Sequence, residues 1–112
     1  MEVVYCPEAR EELKALPSRE RQAMLHAVEK LEALGDRLPY PHSSLVRGES
    51  GGLRELRPRG GASVWRAFYR RVQDVLVIGA IGPEAKHNPH GFQRAVEAAQ
   101  LRIAHFERGD DA

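Results

Sequence analysis

Residues 74–81 read Asp-Val-Leu-Val-Ile-Gly-Ala-Ile, a nearly uninterrupted apolar run. A strand of this kind is typical of the interior of a sheet, where both faces are covered. Shorter β-prone segments lie at Val3–Tyr5, Leu53–Arg59 and Val64–Arg71, and Gly60-Gly61 between the last two predicts a turn. We therefore predict a sheet built around residues 74–81.

Helical patterns flank these strands. Pro7 suits the first turn of one helix, and Ser18 can cap a second helix that ends at Gly35. Asn88 can cap a last helix with Pro89 at its first position. The buried stripe of that helix is predicted to consist of Phe92, Val96, Ala99, Ile103 and Phe106.

The resulting order is β-α-α-β-β-β-α. It predicts an α+β domain, with a small, mainly antiparallel sheet and helices packed on one face. Residues 36–52 are rich in Pro, Gly and Ser and are predicted to form a long loop, often a functional feature in a small domain. We expect one domain over residues 1–108 and a frayed tail over residues 109–112.

Composition narrows the class of protein. An apolar content of 42% in 112 residues allows one hydrophobic core and argues against disorder. Cys6 is the only cysteine, which excludes an internal disulfide and favours the reducing cytoplasm. The sequence has no secretory leader pattern and no apolar run of membrane-spanning length, so we expect no membrane association.

The net charge is only +1, but the basic residues are unevenly distributed. Two explanations for an arginine-rich hairpin remain open. Arg66 can pair with Glu55 across the hairpin, which is a structural role, or the arginines can line a face that binds phosphates. Six of the 14 arginines fall within eighteen positions: Arg54, Arg57, Arg59, Arg66, Arg70 and Arg71.

The hairpin motifs resemble the RelE/ParE superfamily of toxins, in particular its HigB-like branch. The matching segments are Gly52-Leu53-Arg54-Glu55-Leu56-Arg57 and Trp65-Arg66-Ala67-Phe68-Tyr69. The apolar strand and the final amphipathic helix follow in the family's order, so the resemblance covers nearly the whole chain. It implies the toxin of a type II toxin–antitoxin system, a ribosome-dependent endoribonuclease that cleaves messenger RNA and inhibits translation.

The resemblance also implies partners and residue roles. The partners are a cognate helix-turn-helix antitoxin and the ribosome with messenger RNA in its A site; the oligomeric state is left open. Arg57 and Arg66 match basic residues that stabilise the phosphorane formed when the 2′-hydroxyl attacks the adjacent phosphate. No metal and no cofactor are implied. The proposed RNA- and phosphate-binding residues are Arg54, Arg59, Arg70, Lys86 and His90.

This sequence departs from the family after the apolar strand. Relatives carry basic residues where Gly82-Pro83-Glu84-Ala85 stands here, which leaves the general base and acid unassigned. His87 is the candidate catalytic histidine, and His90 is a second possibility, because histidine titrates near neutrality. Two rival functions follow from the departure: inhibition of DNA gyrase, as in the ParE branch, and a degenerate module that only binds its antitoxin.

Overall fold

Five strands form one sheet in the computed structural model, which describes residues 1–109. They are β1 (Glu2–Tyr5), β2 (Ser43–Leu45), β3 (Arg54–Leu56), β4 (Trp65–Val72) and β5 (Val75–Pro83). Their order across the sheet is β1-β5-β4-β3-β2. β1 runs parallel to β5 and the other neighbours are antiparallel. The predicted apolar strand, β5, therefore lies inside the sheet, and the α+β class is confirmed.

Three helices accompany the sheet: α1 (Pro7–Ala15), α2 (Ser18–Leu34) and α3 (Pro89–Glu107). The predicted cap of α3 is present, because the side chain of Asn88 accepts a hydrogen bond from the backbone N–H of Gly91 at 2.9 Å. The predicted Ser18 cap of α2 is wrong. Ser18 is already inside the helix, Pro17 occupies the capping position, and no side chain caps this end.

The prediction of an unstructured loop over residues 36–52 is wrong for Ser43–Leu45, which form a strand. β2 lies there and adds a fourth antiparallel strand, so the order is β-α-α-β-β-β-β-α. Its sequence, Ser-Ser-Leu, has no alternation long enough to indicate a strand. The strand is held by pairing with β3 and by fully buried Ser43, whose hydroxyl lies 2.6 Å from the Tyr69 hydroxyl.

The predicted strand Leu53–Arg59 is shorter than expected. β3 ends at Leu56, and residues Pro58–Gly61 form a tight helical turn. Pro58 has no N–H to donate to a sheet, which explains the early end. Arg59 and Gly60 adopt positive φ angles of 55° and 62°, so the reversal begins before the two glycines.

The helices cover both faces of the sheet, not one as predicted. Phe68 of β4 packs edge-to-face on Phe92 of α3, with ring centroids 5.3 Å apart. Leu56 points to the opposite face and lines a cavity beside α2 with Ala27. The physical reason is the apolar character of β5, since a strand with no polar face needs cover on both sides.

Close packing of α3 on β5 depends on glycine. A Cβ atom added to Gly79 would lie 2.8 Å from the Cα of Ala99, closer than carbon atoms pack. One added to Gly82 would lie 2.5 Å from the Cβ of Ala95. The two glycines therefore set the distance between the helix and the sheet.

The remaining sequence expectations concern the ends of the chain and membranes. Residues 110–112, most of the predicted frayed tail, lie outside the described residues. None of the helices within residues 1–109 has the length and hydropathy needed to cross a membrane.

Candidate functional site

The register of the β3–β4 hairpin brings Glu55 and Arg66 together. Glu55 pairs with Phe68, and Arg66 precedes Phe68 by two residues on the same face of β4. The next strand continues this arrangement, because Arg66 pairs with Gly82 and Glu84 follows two residues later. One face of three adjacent strands thus carries two carboxylates around a guanidinium.

Arg66 is 2% exposed and its guanidinium is almost saturated. It donates to Glu55 through Nε at 3.0 Å and to Glu84 through one terminal nitrogen at 2.7 Å. The other terminal nitrogen donates to the carbonyl oxygens of Ser63 at 2.6 Å and Trp65 at 3.0 Å. Of the two sequence-level alternatives, the Arg66–Glu55 pair is present, and Glu84 adds a second carboxylate.

Arg57 completes this group from the other side of Glu55. Its terminal nitrogen lies 3.5 Å from a carboxylate oxygen of Glu55, and its Nε donates to the carbonyl oxygen of Pro41 at 2.9 Å. The guanidinium lies over the ring of Tyr40, 5.2 Å from its centroid. We call Glu55, Arg57, Arg66 and Glu84 the Glu55 cluster.

Both carboxylates of the Glu55 cluster retain contact with solvent, and Glu55 also faces a cavity. The side chain of Glu55 is 13% exposed and lines a cavity of about 380 Å³. Tyr40, 70% exposed, stands at this cavity with Arg47, and Phe92 forms part of its wall. The carboxylate of Glu55 is therefore partly shielded from solvent and lies between the guanidinium groups of Arg57 and Arg66. The exposed ring of Tyr40 stands beside it.

The other arginines of the hairpin are held by partners elsewhere. Arg54 donates to the Ser43 hydroxyl at 2.9 Å, and Arg59 contacts both carboxylate oxygens of Glu20. Arg70 reaches Glu107 at 3.3 Å. The structure therefore brings Arg57 and Arg66 together on Glu55, whereas Arg54, Arg59 and Arg70 contact other partners.

One further ion pair perturbs a carboxyl group. A hydrogen bond from Ser63 at 2.7 Å is the largest influence on Glu20 and lowers its pKa. Desolvation opposes this shift, and the hydrogen bond from Arg59 adds to it. Glu20 thereby ties α2 to the turn after β3.

The basic residues predicted before α3 are exposed. Lys86 and His87 lie in the turn after β5, and His90 lies in the first turn of α3. His87 lines a separate cavity of about 440 Å³ with Trp65 and Arg94. The histidine candidates are thus not part of the cavity that Glu55 lines.

Sequence reasoning missed two members of this site. In the sequence, Glu84 stands out only as a departure from the family. The strand register pairs Arg66 with Gly82, and Glu84, two residues further on, therefore lies on the face of Arg66. Tyr40 lay inside the predicted loop, and no local pattern marks it. Within residues 1–109, no three His, Cys, Asp or Glu side chains converge as a metal ion would require.

The fold is that of RelE toxins. The E. coli toxin RelE, solved in the free state as a double arginine-to-alanine mutant, matches with a TM-score of 0.58 and 18% identity, over 86% of this chain and 94% of that one. RelE from an archaeal RelE–RelB complex of Pyrococcus horikoshii OT3 matches with a TM-score of 0.55 and 19% identity, over 73% and 92% respectively.

The family is shown by the sequence itself. Residues 11–79 match the family model described as Phage derived protein Gp49-like (DUF891), which is more than half of the chain. The protein therefore belongs to the Gp49-like family. A comparison with curated protein sequences found no significant match.

Proposed function

We propose that this protein is the toxin of a type II toxin–antitoxin system, of the HigB-like branch, and that it cleaves messenger RNA on the ribosome. The observation that carries the proposal is the Glu55 cluster, in which a partly exposed carboxylate lies between Arg57 and Arg66 at an open cavity. The likeness to RelE toxins, one of them solved with RelB, supports the toxin class.

The proposed reaction is transfer of a phosphodiester to the neighbouring 2′-oxygen. The carboxylate of Glu55 accepts the proton of the 2′-hydroxyl, whose oxygen attacks phosphorus. The bond to the 5′-oxygen breaks, leaving a 2′,3′-cyclic phosphate and, after protonation, a 5′-hydroxyl. Arg57 stabilises the negative charge that accumulates on the phosphoryl oxygens. No metal ion takes part in this scheme.

The role of Arg66 in this scheme depends on Glu84. In its present contacts Arg66 orients Glu55, which is the action of a positioning residue. A direct contact with the scissile phosphate requires Glu84 to release the terminal nitrogen that it now holds at 2.7 Å. Binding of a dianionic transition state provides a reason for that exchange, because both anions compete for the same donors.

The proton donor and the remaining contacts complete the proposal. His87 is proposed to protonate the leaving oxygen, with His90 as the alternative, since both imidazoles are exposed. Lys86, Arg54, Arg59 and Arg70 are proposed as contacts to flanking phosphates. The proposed partners are a cognate helix-turn-helix antitoxin and the ribosomal A site, so the proposed place of action is the cytoplasm.

Pulse labelling after induced expression tests the function. We expect growth arrest with an early fall in amino-acid incorporation, followed later by a fall in thymidine incorporation. Primer extension on cellular messages should then map cuts within translated regions. Loss of thymidine incorporation while translation continues would reject the proposal and favour inhibition of DNA gyrase.

One observation favours a second candidate, a module that binds its antitoxin without catalysis. Glu84 neutralises Arg66 at the position where relatives carry basic residues. If the second candidate is correct, induced expression will leave growth, translation and messenger RNA intact, while the protein still copurifies with the product of the adjacent gene.

A further inference from the structure

A large cavity lies on the face of the sheet opposite α3. It has a volume of about 640 Å³ and separates α2 from the segment that runs from His42 to Arg59. We call it the α2 groove. Its rim carries Arg19, His26 and Lys30 on one side and His42, Arg57 and Arg59 on the other.

The rim is strongly cationic in a chain whose net charge is only +1. Four permanent cations line the groove, whereas Glu29 is its only acidic residue. Within residues 1–109, neither Arg19 nor Lys30 forms a salt bridge, and Arg19 acts on Glu20 only as one of the smaller contributions to the lowered pKa of that carboxyl group. These two charges are therefore available to an anionic ligand, unlike those of the β3–β4 hairpin.

The basic side chains of α2 are spaced along the groove. Arg19, His26 and Lys30 lie seven and four residues apart, which places them on one side of the helix. At about 1.5 Å per residue, Arg19 and Lys30 are roughly 16 Å apart along the axis. A ligand that meets both must carry negative charge over that length, as several successive phosphates do.

The wall of the groove between the basic side chains is apolar and includes Ala23, Ala27, Ala33 and Leu56. Leu56 is fully buried and Ala27 is 8% exposed, so a ligand gains little by covering them. An amphipathic protein helix depends on such burial, whereas a nucleic acid strand binds mainly through its charge. The charges of Arg19 and Lys30 therefore favour a polyanionic strand as the occupant.

Arg57 connects the α2 groove with the Glu55 cluster. Its side chain lines the groove and lies 3.5 Å from Glu55. We propose that the α2 groove binds the phosphodiester backbone of single-stranded RNA and leads the strand past Arg57 to Glu55. The proposal rests on the proposed function for the identity of the substrate, but binding can be measured without cleavage.

The experiment uses the full chain and a fluorescein-labelled 2′-O-methyl RNA of about 12 nucleotides, within the range of sites for single strands. This probe has no 2′-hydroxyl and cannot be cleaved by the proposed reaction. Fluorescence anisotropy at a series of salt concentrations yields the slope of log K against log salt. Each neutralised phosphate of a single strand contributes roughly 0.7 to that slope.

We expect Arg19→Ala and Lys30→Ala each to weaken binding and to reduce the slope by about 0.7. Lys14→Ala is the matched control, because Lys14 is an exposed helical lysine that pairs with Glu11 away from the groove. It removes the same charge and should leave the slope unchanged. Arg19 and Lys30 are exposed on a helix, where alanine is well tolerated, and unchanged melting curves will verify folding.

The outcomes separate this proposal from the proposed function. If Arg19→Ala and Lys30→Ala bind the probe as Lys14→Ala does, the groove proposal is overturned even if the wild type cleaves messenger RNA. Groove-dependent binding without any cleavage in cells supports the groove and rejects the nuclease. Groove-dependent binding of a glutamate-rich helical peptide, with no binding of RNA, overturns the proposal in favour of a protein ligand.

Discussion

Replacing Arg66 with alanine tests the Glu55 cluster most directly. The substitution removes a guanidinium that is 2% exposed and leaves Glu55 and Glu84 without their shared partner. Breaking a buried ion pair from one side commonly costs about 3–5 kcal/mol, because the remaining charge stays desolvated. Both carboxylates retain some contact with solvent, at 13% and 24%, so we expect about 3 kcal/mol, the lower end of that range.

A loss of this size is large against a typical stability of about 5–15 kcal/mol. For a domain of this length it corresponds to a fall in Tm of roughly 12 °C, at about 4 °C per kcal/mol. Urea denaturation followed by tryptophan fluorescence at Trp65 measures the free energy of unfolding, and calorimetry measures Tm.

The same variants separate a structural role of Arg66 from a catalytic one. Glu55→Gln keeps the shape of the side chain, and a double-mutant cycle with Arg66→Ala should reveal a coupling of at least about 1 kcal/mol. A destabilisation below about 1 kcal/mol for Arg66→Ala would refute this account of the cluster. Such a value is typical of solvent-exposed salt bridges and not of a buried Arg66–Glu55 pair. If that stable variant also failed to cleave messenger RNA, Arg66 would act directly on the phosphate.

Three further predictions concern packing, a buried hydroxyl and pH. Gly79→Ala should lower the free energy of unfolding by about 1–3 kcal/mol, because the new Cβ would displace the backbone of α3 at Ala99. Urea titration measures this loss, and unchanged stability would contradict the packing argument. Tyr69→Phe should cost about 1 kcal/mol by removing a buried hydrogen bond to Ser43, and no loss in the same titration would show that the bond is not needed. Glu20 has a lowered pKa, so its stabilising effect is present above the ordinary value of 4.5 and is lost as pH falls through the lower folded-state value. The difference in Tm between the wild type and Glu20→Gln should therefore shrink between about pH 6 and about pH 3, and a constant difference would argue against the pair.

Much of the fold could be predicted because its signals are local. The uninterrupted apolar sequence of β5 depends only on its own residues, as does the cap of α3 at Asn88. The turn between β3 and β4 is marked by Gly60 and Gly61. Capping, periodicity and turn chemistry act over a few residues, so they can be recognised without a partner.

The strand β2 and the coverage of both sheet faces required the tertiary structure. The three residues of β2 acquire strand geometry by pairing with β3, at a distance in sequence that no local pattern encodes. The position of α2 follows from its packing on β1 and on the turn after β3, not from its own helical periodicity.

The arginines show the same difference between local sequence signals and contacts that form between distant segments. The sequence alone indicates that the hairpin is rich in arginine and that Arg66 and Glu55 can pair across it. Which arginines are neutralised depends on the three-dimensional fold, because Arg59 contacts Glu20 across 39 positions and Arg70 contacts Glu107 across 37. The electrostatic energy of a charged side chain depends mainly on groups within a few ångströms, and for Arg59 and Arg70 those groups belong to helices that are distant in sequence.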